Sequence, residues 1–224
     1  MQEFATTTLA MFLALFPITN PIGAVPIFYS LTADLSHHEQ NWQARQTAFY
    51  SVLVLIVFLF TGPLILSFFG ISLGVLKIAG GLLVGQTAWD MLTVRQRLTD
   101  PENQEAMKST DISLIPMAIP IVSGPGAIGI VIDLAPATWQ WLQYLGCMVG
   151  ILLVGLTLYF SLCSGKPIIH ALGTHGIGAF NRILGFFILA ISVQMISDGA
   201  FNLLQTHLTG LASFLPTDLI SPLS

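Results

Sequence analysis

Two apolar stretches of this chain are broken by proline and glycine at matching places: Phe16-Pro17-Ile18-Thr19-Asn20-Pro21-Ile22-Gly23-Ala24 and Ile119-Pro120-Ile121-Val122-Ser123-Gly124-Pro125-Gly126-Ala127. Proline has no backbone N–H and clashes with the preceding helical turn, so each motif interrupts its helix. Each motif lies in a stretch otherwise hydrophobic enough to cross a bilayer. Lipid tolerates freed backbone groups only where they are buried in protein or face a polar cavity. Paired interrupted helices in corresponding halves of a membrane chain point to a transporter binding site. The composition agrees with a bilayer setting: 54% of residues are hydrophobic and only 8% charged, with a mean hydropathy of +0.81. A soluble domain carries about 25% charged residues, so a water-soluble core is excluded as the main architecture. The net charge of −4 is small, and no basic run points to nucleic acid.

Runs of about 20 apolar residues predict six spans, at 5–32, 47–69, 72–94, 112–133, 140–162 and 180–204. The first and fourth carry the interruptions, and Pro63 is expected to bend the second. Trp139, Trp141 and Tyr144 at one end of the fifth, with Tyr159 near the other, suit the aromatic belts of the two interfaces. Cys147 and Cys163 fall sixteen residues apart in that same span, about 24 Å along a helix and beyond the reach of a disulfide. Met1-Gln2-Glu3-Phe4 lacks the positive start of a secretory signal and reads as the beginning of the first span. Loop charge gives the orientation. Arg45, Arg95, Arg97, Lys108, Lys166 and Arg182 flank one side and only Lys77 the other, which puts both termini outside the cytoplasm.

The two halves also repeat. Asn20-Pro21 matches Gly124-Pro125, Lys77-Ile78-Ala79-Gly80 matches Arg182-Ile183-Leu184-Gly185, and Gly70-Ile71 matches Gly176-Ile177, at offsets of 104, 105 and 106. Three spans per repeat is an odd number, so the second copy must enter the membrane from the opposite side. The expected fold is therefore all-α, with six transmembrane helices in two inverted three-helix repeats and helices one and four broken near mid-membrane. Residues 1–96 form the first repeat, 97–111 a polar cytoplasmic linker, 112–207 the second repeat, and 208–224 a tail at the interface. Inverted repeats suit alternating access, although channels share them.

Thr19, Asn20, Pro21 and Gly23 at the first break, and Val122, Ser123, Gly124, Pro125 and Gly126 at the second, are the candidate substrate-binding residues. A half-helix beginning at proline exposes unpaired N–H groups and a positive dipole end, suited to an anionic group. The carbonyls before the break, near Thr19 and Val122, suit an ammonium. A zwitterion such as an amino acid matches both. Gln86, Asp90, Gln194 and Asp198 are second-rank candidates for coupling or cavity lining; Asp90 also reads as an interfacial ion-pair partner of Arg95, and Asp198 as a proton carrier. Gly80, Gly81 and Gly85, like Gly146 and Gly150, recur on one helical face and predict close helix packing. His37, His38, His170, His175 and His207 show no metal-ligand spacing, and no nucleotide-binding or hydrolase motif is present. No metal, cofactor or enzymatic activity is expected.

Asn20-Pro21-Ile22-Gly23, the stretch from Pro120 to Ala127, Lys77-Ile78-Ala79-Gly80-Gly81 and Asn181-Arg182-Ile183-Leu184-Gly185 together resemble the MarC family, over about residues 9–204. The resemblance implies a six-span inner-membrane protein of a bacterium or archaeon, and a transporter of small neutral amino acids such as glycine and alanine, coupled to protons or another cation. It places the family motif on Asn20, Pro21, Gly23, Pro26, Gly124, Pro125 and Gly126. Pro17 departs from the family pattern as an extra breaker expected to widen the first interruption. Asp90 and Asp198 lie outside that pattern. The partners expected are the lipid bilayer, a small neutral amino acid and a coupling proton or cation, with oligomerisation left open. Export of another small metabolite or drug, and a passive channel, stand as alternatives.

Overall fold

The computed structural model describes residues 2–93, 111–136 and 140–212, and all of its regular elements are helical. In chain order they are α1 (Gln2–Thr19), α2 (Pro21–Leu31), α3 (His37–Phe69), α4 (Leu73–Thr93), α5 (Ser113–Val122), α6 (Pro125–Asp133), α7 (Trp141–Cys163) and α8 (Gly165–Ala212). By length and hydropathy three helical segments among the described residues suffice to cross a membrane: His37–Phe69, Trp141–Cys163 and Gly176–Thr206. A fourth is added if α1 and α2, bent by 41° at their junction, count as one span. This is fewer than the six expected. The difference lies in the segments at 72–94 and 112–133: the first forms the 21-residue α4 and the second divides into the short α5 and α6. The linker 97–110, Arg95, Trp139 and the tail beyond residue 212 lie outside the described residues.

Several boundaries differ from the sequence-based expectation. The segment 37–46, expected as loop, is the start of α3, because Ser36 and Glu39 form a reciprocal capping box there. The expected loop at 163–179 is helical from Gly165 and turns at Gly173 (φ 63°, ψ 174°), a conformation open to glycine alone. Pro17 does not widen the first break. α1 runs through it to Thr19, and the interruption is the single residue Asn20. α3 likewise continues through Pro63.

Helix directions follow from glycine contacts. Gly74 approaches Gly199, Gly81 approaches Ser192, and Gly185 approaches Ala88, so numbering rises by seven on α4 as it falls by seven on α8. These two helices are antiparallel, and a Cβ on Gly81 would stand 3.0 Å from the Ser192 carbonyl oxygen. Small residues at such a seam let the backbones meet, which is how helices associate without a hydrophobic drive in lipid. Ser192 adds a cross-helix bond, its Oγ donating to the Gly81 carbonyl at 2.7 Å. Gly146 meets Phe4 and Thr7, while Gly150 meets Thr8 and Met11, so α1 and α7 run parallel. α3 runs parallel to the α5–α6 pair, with Gln43 bonded to the Ile112 amide and Gly62 against Ile132. It runs antiparallel to α7, where Gly155 meets Val52 and Phe60 stacks on Tyr144.

Met11, Leu15, Leu55, Leu59, Val84, Ile130, Ile151 and Ile188 pack into one buried cluster, and Phe28, Met117, Leu158 and Leu162 into a second. Large apolar side chains such as Leu64, Phe68, Phe186 and Phe201 are exposed around the outside. In water such a surface would aggregate; facing acyl chains it is the expected exterior. Cys147 and Cys163 are both free thiols on α7.

Candidate functional site

The first break is built by one asparagine. Asn20 adopts the left-handed conformation (φ 43°, ψ 65°), which short polar side chains tolerate better than other non-glycine residues. Pro21 follows as the first residue of α2, its missing N–H being one that a helix start leaves unpaired anyway. The Asn20 Oδ1 accepts a bond from the Gly23 amide at 3.0 Å and so caps α2. Its Nδ2 donates to Asn181 Oδ1 on α8 at 3.1 Å. Asn20 is 1% exposed while Asn181 is partly exposed, so the bond lies at the edge of the buried interior. Thr19 is equally buried, with its hydroxyl donating to the carbonyls of Leu15 (3.0 Å) and Phe16 (3.2 Å).

The second break is built differently. Ile115 and Ile119, each preceding a proline, are forced into extended conformation (φ near −125°, ψ near 122°). α5 is consequently a widened helix whose bonds reach five residues back, Met117 N–H to Ile112 and Ser123 N–H to Ala118. The Ser123 hydroxyl also donates to the Ala118 carbonyl, at 2.8 Å, and is fully buried. Gly124 then stands at the start of α6, and no side chain caps that end. The two breaks therefore differ in chemistry: α2 has its exposed amide filled by Asn20, and α6 presents its first turn unfilled.

That first turn faces a cavity of about 300 Å³. Gly124, Pro125, Gly126 and Ala127 form one wall, Ile121 and Val122 the end of α5, and Ile18 the edge nearest the first break. Leu83, Gln86, Thr87 and Asp90 of α4 line the same cavity. The approach of α4 to α6 depends on Gly126, where a Cβ would stand 3.1 Å from Val84, and on Gly80 and Gly129, which meet backbone to backbone. Of the sequence candidates, the cavity brings together Val122, Gly124, Pro125, Gly126, Gln86 and Asp90. Thr19, Asn20, Pro21, Gly23 and Ser123 are not among its lining residues. Gln194 and Asp198 lie elsewhere on α8, bonded to each other at 2.8 Å. The expected partner of Asp90, Arg95, lies outside the described residues.

Three residues with a place in this architecture went unassigned from sequence. Asn181 is the hydrogen-bond partner of Asn20, and its only signal was its position beside Arg182 in a recurring motif. Thr87 lines the cavity and shares a helical face with Asp90, three positions on. Asp133, the last residue of α6, forms an ion pair with Lys77 of α4 at 3.2 Å. Among the described residues no group of histidine, cysteine, aspartate and glutamate could hold a metal ion.

The model of the MarC family of integral membrane proteins matches residues 5–204, nearly the whole chain. This chain belongs to the MarC family. Its relatives include the UPF0056 membrane protein MJ1677 of Methanocaldococcus jannaschii, 36% identical over 191 residues, or 84% of this chain and 93% of that one. The UPF0056 membrane protein of Buchnera aphidicola is 32% identical over 192 residues, covering 84% and 89%. The UPF0056 inner membrane protein MarC of Escherichia coli is 31% identical over 206 residues, covering 86% and 93%. No solved structure matches the chain. Family membership and the long apolar helices make this a multi-pass membrane protein.

Proposed function

We propose that this MarC-family protein is a secondary carrier of small neutral amino acids, of the glycine and alanine class, working by alternating access. The observation that carries the reading is the uncapped first turn of α6 opening onto a cavity at a helix interruption. Pro125 has no N–H, so the amides of Gly126 and Ala127 are the donors available to a substrate carboxylate there. Backbone amides at a helix start favour an anion through both their hydrogen bonds and the helix dipole. A cavity of about 300 Å³ sits at the small end of ligand pockets, which fits a compact guest. The filled first break serves as the scaffold, with Asn20 tying α2 to α8 through Asn181.

The packing directions support two inverted three-helix repeats. A two-fold axis in the membrane plane would exchange the parallel α1–α7 contact with the parallel contact of α3 to α5–α6. It would map the antiparallel pairs α3–α7 and α4–α8 onto themselves. In this reading the chain crosses six times, with both termini outside the cytoplasm. The Lys77–Asp133 ion pair at the far end of α6 closes the side away from the cavity. Lys77 and Asp90 are thirteen residues apart on α4, about 20 Å of helix. Opening of that side as the cavity side closes, driven by a coupling proton or cation, would carry the substrate across.

Uptake of radiolabelled glycine and alanine into proteoliposomes tests the proposal. Saturable uptake with countertransport is expected, and Asn20→Leu should abolish it by removing both the cap and the Asn181 bond. Flux that neither saturates nor shows countertransport would make the protein a channel. Transport unchanged by Asn20→Leu would refute the architecture assigned to the first break.

A further inference from the structure

The α4 side of the cavity carries the one formal charge among its lining residues, Asp90, and the carrier reading above gives it no part in binding substrate. Gln86, Thr87 and Asp90 occupy positions i, i+1 and i+4 of α4, so they project from neighbouring points on one face of that helix. The Thr87 hydroxyl donates to the Leu83 carbonyl at 3.0 Å, which turns its lone pairs outward. Asp90 is half-buried, and the only ion pair among the described residues is that of Lys77 with Asp133. The cavity thus brings the acceptor oxygens of α4 into the same space as the amides at the start of α6.

We propose that Asp90 is the counter-charge for the substrate's ammonium group, and that it restricts this cavity to guests carrying a free amine. The inference rests on the carrier reading for its substrate and adds the residue that selects it. A carboxylate spanning to the α6 amides leaves the opposite end of a small amino acid directed at α4. There an ammonium finds one carboxylate, one amide oxygen and one hydroxyl, all acceptors. A monocarboxylate without an amine meets Asp90 as a like charge, which disfavours binding. An N-acylated amino acid has lost the positive charge, keeps a single N–H and adds an acceptor oxygen, so it leaves the Asp90 carboxylate without its counter-charge. This moves the ammonium site from the carbonyls near Thr19 and Val122 to α4. The Thr19 end of α1 is sealed and its polar atoms are engaged.

Binding to purified protein in detergent, by calorimetry, tests this with alanine, propionate, ethylamine and N-acetylalanine. Wild type should bind alanine at least about tenfold more tightly than propionate or N-acetylalanine. Asp90→Asn should weaken alanine and ethylamine by about tenfold or more and leave propionate equal or improved, with Asp90→Glu recovering part of the loss. A melting temperature matching wild type shows that each variant is folded. Alanine affinity unchanged in Asp90→Asn overturns the inference and leaves the carrier reading standing. Ethylamine bound through Asp90 without any alanine binding would keep the role of Asp90 and sink the amino-acid reading.

Discussion

Lys77 and Asp133 offer the sharpest energetic test of the packing. Their charged atoms are 3.2 Å apart, and the side chains are only 19% and 12% exposed. At that separation and an effective dielectric of about 20, two unit charges attract by about 5 kcal/mol. Removing one partner of a largely buried pair costs about 3–5 kcal/mol, because the other charge is left without compensation. In Lys77→Met the orphaned carboxylate can take up a proton instead of remaining ionised, which limits the loss to the lower end, about 3 kcal/mol. For a chain of this length about 2–4 °C accompanies each kcal/mol, so the melting temperature in detergent should fall by about 6–12 °C. The double variant Lys77→Met/Asp133→Leu removes both charges and should recover most of that loss, since an apolar pair of similar volume replaces a buried ion pair at little cost. The assay is thermal unfolding of wild type, both single variants and the double, read as a double-mutant cycle. A single variant melting within about 2 °C of wild type, or a double variant no better than the worse single, would refute the assignment of α4 against the end of α6.

Other outcomes follow from the same contacts. Gly81→Leu should separate α4 from α8 and destabilise by about 1–3 kcal/mol, seen as a lower melting temperature, whereas the same change at exposed Ala79 should do little. Asn20→Gly keeps the left-handed turn but loses both side-chain bonds; it should melt below wild type by less than Asn20→Leu, which also strains the backbone by about 1–3 kcal/mol. Gly173→Ala forces a Cβ into a conformation suited only to glycine and should cost about 1–3 kcal/mol, read by melting or by new protease cleavage near residue 173. Ser36→Ala removes half of the capping box and should cost about 1 kcal/mol, measurable as faster amide exchange in the first turn of α3.

The sequence alone determined where the backbone cannot make every helical bond. Pro21, Pro116, Pro120 and Pro125 lack a donor, restrict the residue before them and stand at the interruptions, whereas Pro17 and Pro63, with the same local sterics, are carried inside α1 and α3. The apolar runs likewise announced a lipid-facing exterior, and the spacing of Gly80, Gly81 and Gly85, and of Gly146 and Gly150, announced close helix contacts, because composition and helical period are properties of the chain itself. Tertiary structure decided which break is filled and which is open. Both motifs read alike as proline after a small or polar residue. Yet Asn20 reaches its own α2 and Asn181, 161 positions away, while Gly124 has no side chain with which to do either. The helical period placed Gln86, Thr87 and Asp90 on one face without saying what stands across from it. That is settled by how close glycine lets α4 and α6 come, and a distance between elements far apart in the chain is not encoded in any local run of residues.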